Sequence, residues 1–264
     1  MRVLHFFKTY LPDSMGGTQQ VIFQQCQSGM AYGVHSEVLT LSANPEPREV
    51  MVADHLVHRV KLDLQVSSTD FSFSVFKRFR ELAAQADIIN YHFPWPFMDL
   101  VHFASAVKKP VVVSYHSDIV RQKYLMRLYS PLMHAFLQRA DRIVAASPNY
   151  LETSPVLKRY QDKTVVIPYG LDRSGYPVPS EACVARWEQR FGRRFFLFVG
   201  VLRYYKGLHI VLEAAQGTTY PIVIVGSGPL EQELRARAAA LGLANVHFVG
   251  HLGEEDKVAL LQLC

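Results

Sequence analysis

Cysteine is scarce in this chain: three in 264 residues, at Cys26, Cys183 and Cys264. Spaced so widely, they make neither a disulfide framework nor a zinc pattern. Long apolar runs are missing as well, and none approaches the ~18 residues of a membrane span. The first residues, Met1-Arg2-Val3-Leu4, run straight into a strand-like segment. They lack the apolar core and small-residue cleavage site of a secretory leader. A cytoplasmic address is therefore expected. No nucleic-acid-binding signature accompanies the basic residues, so nucleic acid is not expected as a partner. No D-x-D triplet offers itself to a metal, and no metal site is expected.

What is present describes a globular protein. Hydrophobic residues make up 49% and charged residues 19%, enough for one large or two ordinary domains. The net charge of +5 points to an anionic partner. Residues 1–173 hold 19 Lys and Arg against 15 Asp and Glu, whereas the remainder holds 9 against 8. The excess thus lies in the first part, where a membrane surface or a phosphorylated substrate fits it.

Apolar runs alternate with helical patterns. "RVLHFF", "SEVLTLS", "HLVHRV", "DIINYH", "PVVVSYH", "DRIVAAS" and "TVVIPYG" read as strands. Helices are expected from about Gln19 to Tyr32, over "SFSVFKRFRELAAQA", and over "QKYLMRLYSPLMHAFLQRA" with a bend at Pro131. Alternation of this kind predicts βαβ units around a parallel sheet. Composition changes near Asp172, and residues 174–193 read as a linker leading into a helix. The alternation then resumes: "FFLFVG", "GLHIVLEAAQ", "YPIVIVG", "GPLEQELRARAAALG", "VHFVG" and "GEEDKVALLQLC". The predicted organisation is a first domain over 1–173, a linker over 174–193 and a second domain over 194–264. That second domain has three strands, and Cys264 falls inside a helical pattern without a stop signal, so it is expected to be incomplete.

Several segments carry chemistry. "PDSMGGTQQ" places Gly16 and Gly17 between the first strand and a helix, either as a turn or as a loop bare enough for a phosphate to touch its backbone. In "VGVLRYYKGLHIVLEA", Arg203 and Lys206 gather at a helix N-terminus, which suits a diphosphate or is a surface turn with solvated charges. In "VGSGPLEQEL", Gly226 and Gly228 would let a ligand approach the backbone, but Glu231 occupies the third glycine position of a dinucleotide fingerprint. His116 and Asp118 lie beyond the carboxyl end of a predicted strand, where open α/β sheets bind ligands, with Arg121 and Lys123 nearby. His92, with Trp95 and Phe97, lines a cleft or packs a proline-rich loop; His5 reads as buried structure. The basic, aromatic stretch around Arg121–Arg139 reads first as an ordinary core-facing helix and second as a surface for anionic lipid.

Taken in order, "PDSMGGTQQ", "INYHFP", "VVVSYHSD", "RIVAASPNYLETS", "VVIPYGLD", "FVGVLRYYKGLHIVLEA" and "IVIVGSGPLEQELRARAAALGLANVHFVG" resemble the retaining glycosyltransferases of family 4, over almost the whole chain. The resemblance implies a GT-B type α/β fold of two Rossmann-like domains with parallel sheets. It is nearest to bacterial mannosyl and rhamnosyl transferases of lipopolysaccharide or exopolysaccharide synthesis, which use GDP-sugars. It implies that Gly16 and Gly17 meet the donor diphosphate or sugar, that Lys206 neutralises the pyrophosphate, that His116 lies near the transferred sugar and that Asp118 orients sugar or acceptor. Val201 stands where the family usually has arginine, so Arg203 would take that part. The family's E-x7-E glutamates would fall beyond residue 264.

The implied reaction moves a hexose from a nucleotide-diphosphate sugar to a glycan or polyprenyl-linked acceptor with retention. It needs no cofactor besides the donor itself. A dinucleotide-dependent oxidoreductase would require G-x-G-x-x-G after the first strand, which "PDSMGGTQQ" does not supply. A non-catalytic fragment that binds the acceptor glycan remains the alternative.

Overall fold

A computed structural model describes residues 1–66, 69–119, 123–172 and 175–264. The chain forms two compact units, Met1–Leu171 and Asp172–Cys264, each treated by itself below.

The first unit is built on an eight-stranded sheet. In chain order its strands are β1 (Arg2–Phe6), β2 (His35–Ser42), β3 (Glu49–Val52), β4 (His55–Lys61), β7 (Ile88–Phe93), β8 (Val111–Tyr115), β9 (Arg142–Ala145) and β10 (Thr164–Val166). In space they run β10-β9-β8-β7-β1-β2-β4-β3. All neighbours are parallel except β3 with β4. The exception has a local cause: only Ala53 and Asp54 separate the two strands, and so short a connection can join only antiparallel neighbours. A further antiparallel pair, β5 (Leu64–Val66) with β6 (Thr69–Phe71), stands apart from the sheet.

Helices cover both faces. α2 (Val75–Gln85), α3 (Pro96–Ala104) and α4 (Lys123–Arg139) bury Phe79, Met98 and Phe136 against Phe6, Tyr91 and Tyr115. Each large side chain so buried contributes roughly 1.5–3 kcal/mol. α1 (Gly17–Met30) lies on another cluster, where Ile22 and Cys26 meet Phe7, Tyr10, Val38 and Val57. Two short helices, α5 (Pro148–Thr153) and α6 (Pro155–Arg159), start on Ser-Pro pairs. Ser147 and Ser154 accept from the amides of Tyr150 and Leu157, and a proline in the first turn needs no amide partner.

The second unit holds the parallel sheet β11 (Phe196–Val199), β12 (Ile222–Val225) and β13 (Val246–Gly250), in that order. Alternate residues of β12 face opposite cores: Val223 and Val225 one, Ile222 and Ile224 the other. The stretch 174–193 does more than connect. It contains α7 (Glu181–Phe191), whose Cys183, Trp187 and Phe191, four residues apart, bury one stripe in this unit. Trp187 Nε1–H donates to Asp256 of α10 (Glu254–Leu263) at 2.8 Å. Gly192, at φ 74°, then ends the helix. Helices α8 (Leu208–Ala215) and α9 (Glu231–Ala240) complete the unit. No helix among the described residues is long and apolar enough to cross a membrane.

Candidate functional site

Strand order places a switch point in the first unit: chain order reverses between β1 and β7, which are neighbours. Ligands of open α/β sheets bind outside the carboxyl ends of strands at such a point. The loop that leaves β1 there is tied down from three sides. Tyr10 is fully buried, and its hydroxyl lies 2.9 Å from His55 Nε2. Buried Arg59 donates through Nη2 to Asp13 Oδ1 at 2.6 Å. Gln19 Nε2 donates to Thr9 Oγ1 at 2.8 Å and to Ser14 Oγ at 3.3 Å. The loop ends at Gly16, which opens α1 with no side-chain cap and no acidic residue in the first turn. The helix therefore presents amides and the positive end of its dipole without a protein carboxylate to neutralise them.

Three histidines line the same edge. His5 Nδ1 lies 3.0 Å from His92 Nε2, His92 Nδ1 lies 3.0 Å from His116 Nε2, and His116 Nδ1 lies 2.7 Å from the Tyr169 hydroxyl. The rings stack, with centroids 5.3 and 5.2 Å apart. Burial pushes His5 down to about 3 and His116 down to about 4. It holds His92 well below its ordinary value, with the neighbouring His116 and His5 adding to the effect. All three rings are neutral near pH 7. Trp95 and Phe97, paired with His92 in the sequence reading, pack in the core, where Trp95 Nε1–H donates to the Asp70 carbonyl.

Asp118 is engaged by its own protein. Its Oδ1 accepts from Tyr115 at 2.7 Å and from Ser154 at 2.8 Å, tying the end of β8 to the start of α6. Arg121 lies outside the described residues.

In the second unit, β11 leads through Gly200 to a 3-10 turn, Tyr204–Lys206, and then to α8. Gly207 takes a left-handed conformation at φ 71° and caps α8, which also lacks a side-chain cap and an acidic first turn. Arg203 and Lys206 are exposed, and Lys206 Nζ lies 5.5 Å from the Tyr205 ring centre. Gly226 and Gly228 have a reason that the motif did not reveal. A Cβ on Gly226 would fall 2.0 Å from the Gly200 carbonyl oxygen, and one on Gly228 would fall 2.6 Å from the Leu202 amide nitrogen. In each case this chain's own backbone fills the direction that a side chain would take.

The histidine chain and Tyr169 were not assembled from the sequence, although a signal was there. Asn90-Tyr91-His92 and Ser114-Tyr115-His116 share one pattern, a polar residue at every second position of a buried strand. In register, His5 pairs with Asn90, and His92 with Ser114. Period-two alternation then sets all five polar side chains on one face.

The comparisons with known proteins agree with this architecture. The family model described as "Glycosyltransferase Family 4" matches residues 15–174, and the one described as "Glycosyl transferases group 1" matches residues 184–264. The chain is 64% identical over 263 residues to the D-rhamnosyltransferase WbpZ of Pseudomonas aeruginosa, covering 100% of this chain and 69% of that protein. It is 51% identical over 264 residues to the O-antigen chain mannosyltransferase C of Escherichia coli, covering 100% of this chain and 71% of that protein. Among solved structures, Anabaena Alr3699/HepE in complex with UDP and glucose superposes with a TM-score of 0.72 at 17% identity, over 100% of this chain and 72% of that one. Such a likeness speaks for the fold, a GT-B type α/β architecture, and the sequence matches speak for descent. On these grounds the chain belongs to glycosyltransferase family 4.

Proposed function

We propose that this chain carries the machinery to transfer a mannose- or rhamnose-type hexose from a nucleotide-diphosphate sugar, GDP-linked, to a glycan or polyprenyl-linked acceptor in bacterial surface polysaccharide synthesis. The observation that carries the reading is α1: a 14-residue helix with an uncapped N-terminus, opening at the edge where the β1 loop emerges. The two named relatives, a rhamnosyltransferase and a mannosyltransferase, supply the sugar class.

In this reading the bond between the sugar C1 and the phosphate oxygen breaks as the acceptor oxygen bonds C1 from the same face. The acceptor's proton passes to the departing phosphate oxygen, so configuration is retained and no side-chain nucleophile is required. Negative charge grows on the leaving diphosphate. The amides behind Gly16 and Gly17 in the first unit stabilise it, a term that commonly dominates such catalysis, and Arg203 and Lys206 are the second unit's own candidate donor-binding cations. His116 and Asp118 belong to the sugar side, and the donor is a substrate, so no resident cofactor is invoked. Work at the cytoplasmic face of an anionic membrane belongs to the same reading, supported by exposed Leu125, Arg127 and Leu128 on α4.

The test is GDP release from GDP-mannose and GDP-rhamnose in the presence of a polyprenyl-linked acceptor, with the anomeric configuration of the product read by NMR. Lys206→Ala is expected to lower kcat/KM by roughly 10²-fold. Unchanged kinetics would remove Lys206 from the site. Donor binding without turnover would favour the non-catalytic alternative, and an inverted product would overturn retention.

A further inference from the structure

The geometry points to a second carbohydrate subsite in the first unit: a charged cavity at the end of β4 that holds a neutral sugar of the acceptor glycan, away from its reacting end. The inference rests on the proposed function for the kind of glycan, and on the cavity itself for the rest.

The cavity has a volume of about 1010 Å³, at the upper end of the roughly 300–1,000 Å³ that ligand pockets enclose. Its walls are the segment 45–49, the last residues of β4 and the start of α2. β1, β2 and β4 are parallel neighbours in that order, so the cavity lies at the same carboxyl edge as the loop after β1. Two strand spacings, roughly 10 Å, separate β4 from β1, a span that a short oligosaccharide bridges. One buried side chain holds cavity and loop in a single frame. Arg59 lines the cavity, and its Nη2 donates to the Asn44 carbonyl at 2.6 Å as well as to Asp13 Oδ1 at 2.6 Å. Its Nη1 donates to the Pro47 carbonyl at 3.2 Å. The wall is thus built before any ligand arrives.

The lining is close to neutral, five cations against four carboxylates, and every carboxylate is matched. Glu46 pairs with Arg48 at 3.1 Å, Asp63 with Lys61 at 3.5 Å, and Arg78 holds both Glu49 and Glu81. Exposed pairs of this kind contribute little to stability, so their oxygens and N–H groups can turn to a ligand at small cost. A sugar hydroxyl donates and accepts at once, and adjacent hydroxyls match the two oxygens of a carboxylate or the fork of a guanidinium. A phosphate only accepts, and the four carboxylates repel it. Phe73 supplies the apolar half of the match. It stands at the cavity 84% exposed, while its backbone N–H donates to Asp63 Oδ2 at 2.8 Å. The ring therefore sits on a fixed stem and is open to solvent, where the C–H face of a pyranose can lie on it.

The experiment titrates the 15N-labelled chain with mannotriose and, separately, with inorganic phosphate, following backbone amides by 1H–15N correlation. Mannotriose is expected to move the amides of Glu49, Phe73 and Lys77, and phosphate to leave them in place. Phe73→Ala should weaken mannotriose binding about three- to tenfold and melt with the parent, because the ring is exposed. In turnover with GDP-mannose, the same variant should raise KM for an acceptor of three sugars relative to an acceptor of one. Phosphate moving the cavity amides as far as mannotriose does would make this an anion site and overturn the inference. Unmoved cavity amides, wild-type affinity in Phe73→Ala or an unchanged KM ratio would overturn it too. If the unaltered chain neither binds nor uses any GDP-sugar, the proposed function fails while the titration still decides the subsite: mannotriose shifts at the cavity uphold it, and their absence sinks it.

Discussion

Gly16 and Gly17 are neighbours, yet they lack side chains for different physical reasons. A Cβ on Gly16 would stand 2.8 Å from Gln19 Oε1, the end of the side chain that ties the loop together. A Cβ on Gly17 would meet nothing within 4 Å, so the fold itself tolerates a methyl there. Gly17→Ala is therefore the cleaner probe of the loop. It should melt within a degree or two of the parent, a change too small to count as structural, while KM for the sugar donor rises severalfold. Thermal melts beside initial-rate kinetics check it, and equal kinetics would return the loop to an ordinary turn. At this scale the sequence marked candidate residues without showing what each touches. Gly226 and Gly228 were legible as close-approach positions, but the approaching backbone proved to be residues 200–202 of the same chain.

Among the elements, the Ser-Pro starts of α5 and α6 show how much a short motif can dictate. Ser154 is buried, accepts from the Leu157 amide at 3.2 Å and donates to Asp118 Oδ1 at 2.8 Å. It is at once a helix cap and a brace for the segment after β8. Ser154→Ala is expected to cost about 1–2 kcal/mol of stability, read from urea unfolding midpoints at constant slope. A loss below a few tenths would show that the cap contributes little. Most strands and helices were legible here because their apolar spacing is regular. β3 and the β5–β6 pair were not: three or four residues carry too little periodicity to separate a short strand from a loop. The helix α7 was legible, whereas its membership of the second unit was not, since packing on α10 joins residues about 70 positions apart.

For the molecule as a whole, the buried histidines impose a dependence on acid. Unfolded, each ionises near 6.5, whereas folded His5 and His116 lie near 3 and 4. A depressed folded value means stability that is full above about 6.5 and is lost as pH falls toward the folded values. His116 alone should remove about 2 kcal/mol by pH 5. Melting temperatures followed from pH 7.5 to 4.5 are expected to fall below pH ~6.5, and His116→Asn should lessen the slope. A flat profile would contradict the buried, neutral state of these rings.

The sequence by itself determined the class of fold, the alternation of strands and helices, the glycine and cationic turns at helix starts, and the family, because each is written in local spacing or in the order of motifs. Only the tertiary structure decided that His5, His92, His116 and Tyr169 form one row, that Asp118 braces its own chain, and that Gly226 and Gly228 make room for residues 200–202. The physical reason is common to all three. Hydrogen bonds and close contacts of this kind join residues on different strands, and which strands become neighbours is settled by packing both faces of a sheet rather than by any short stretch of chain.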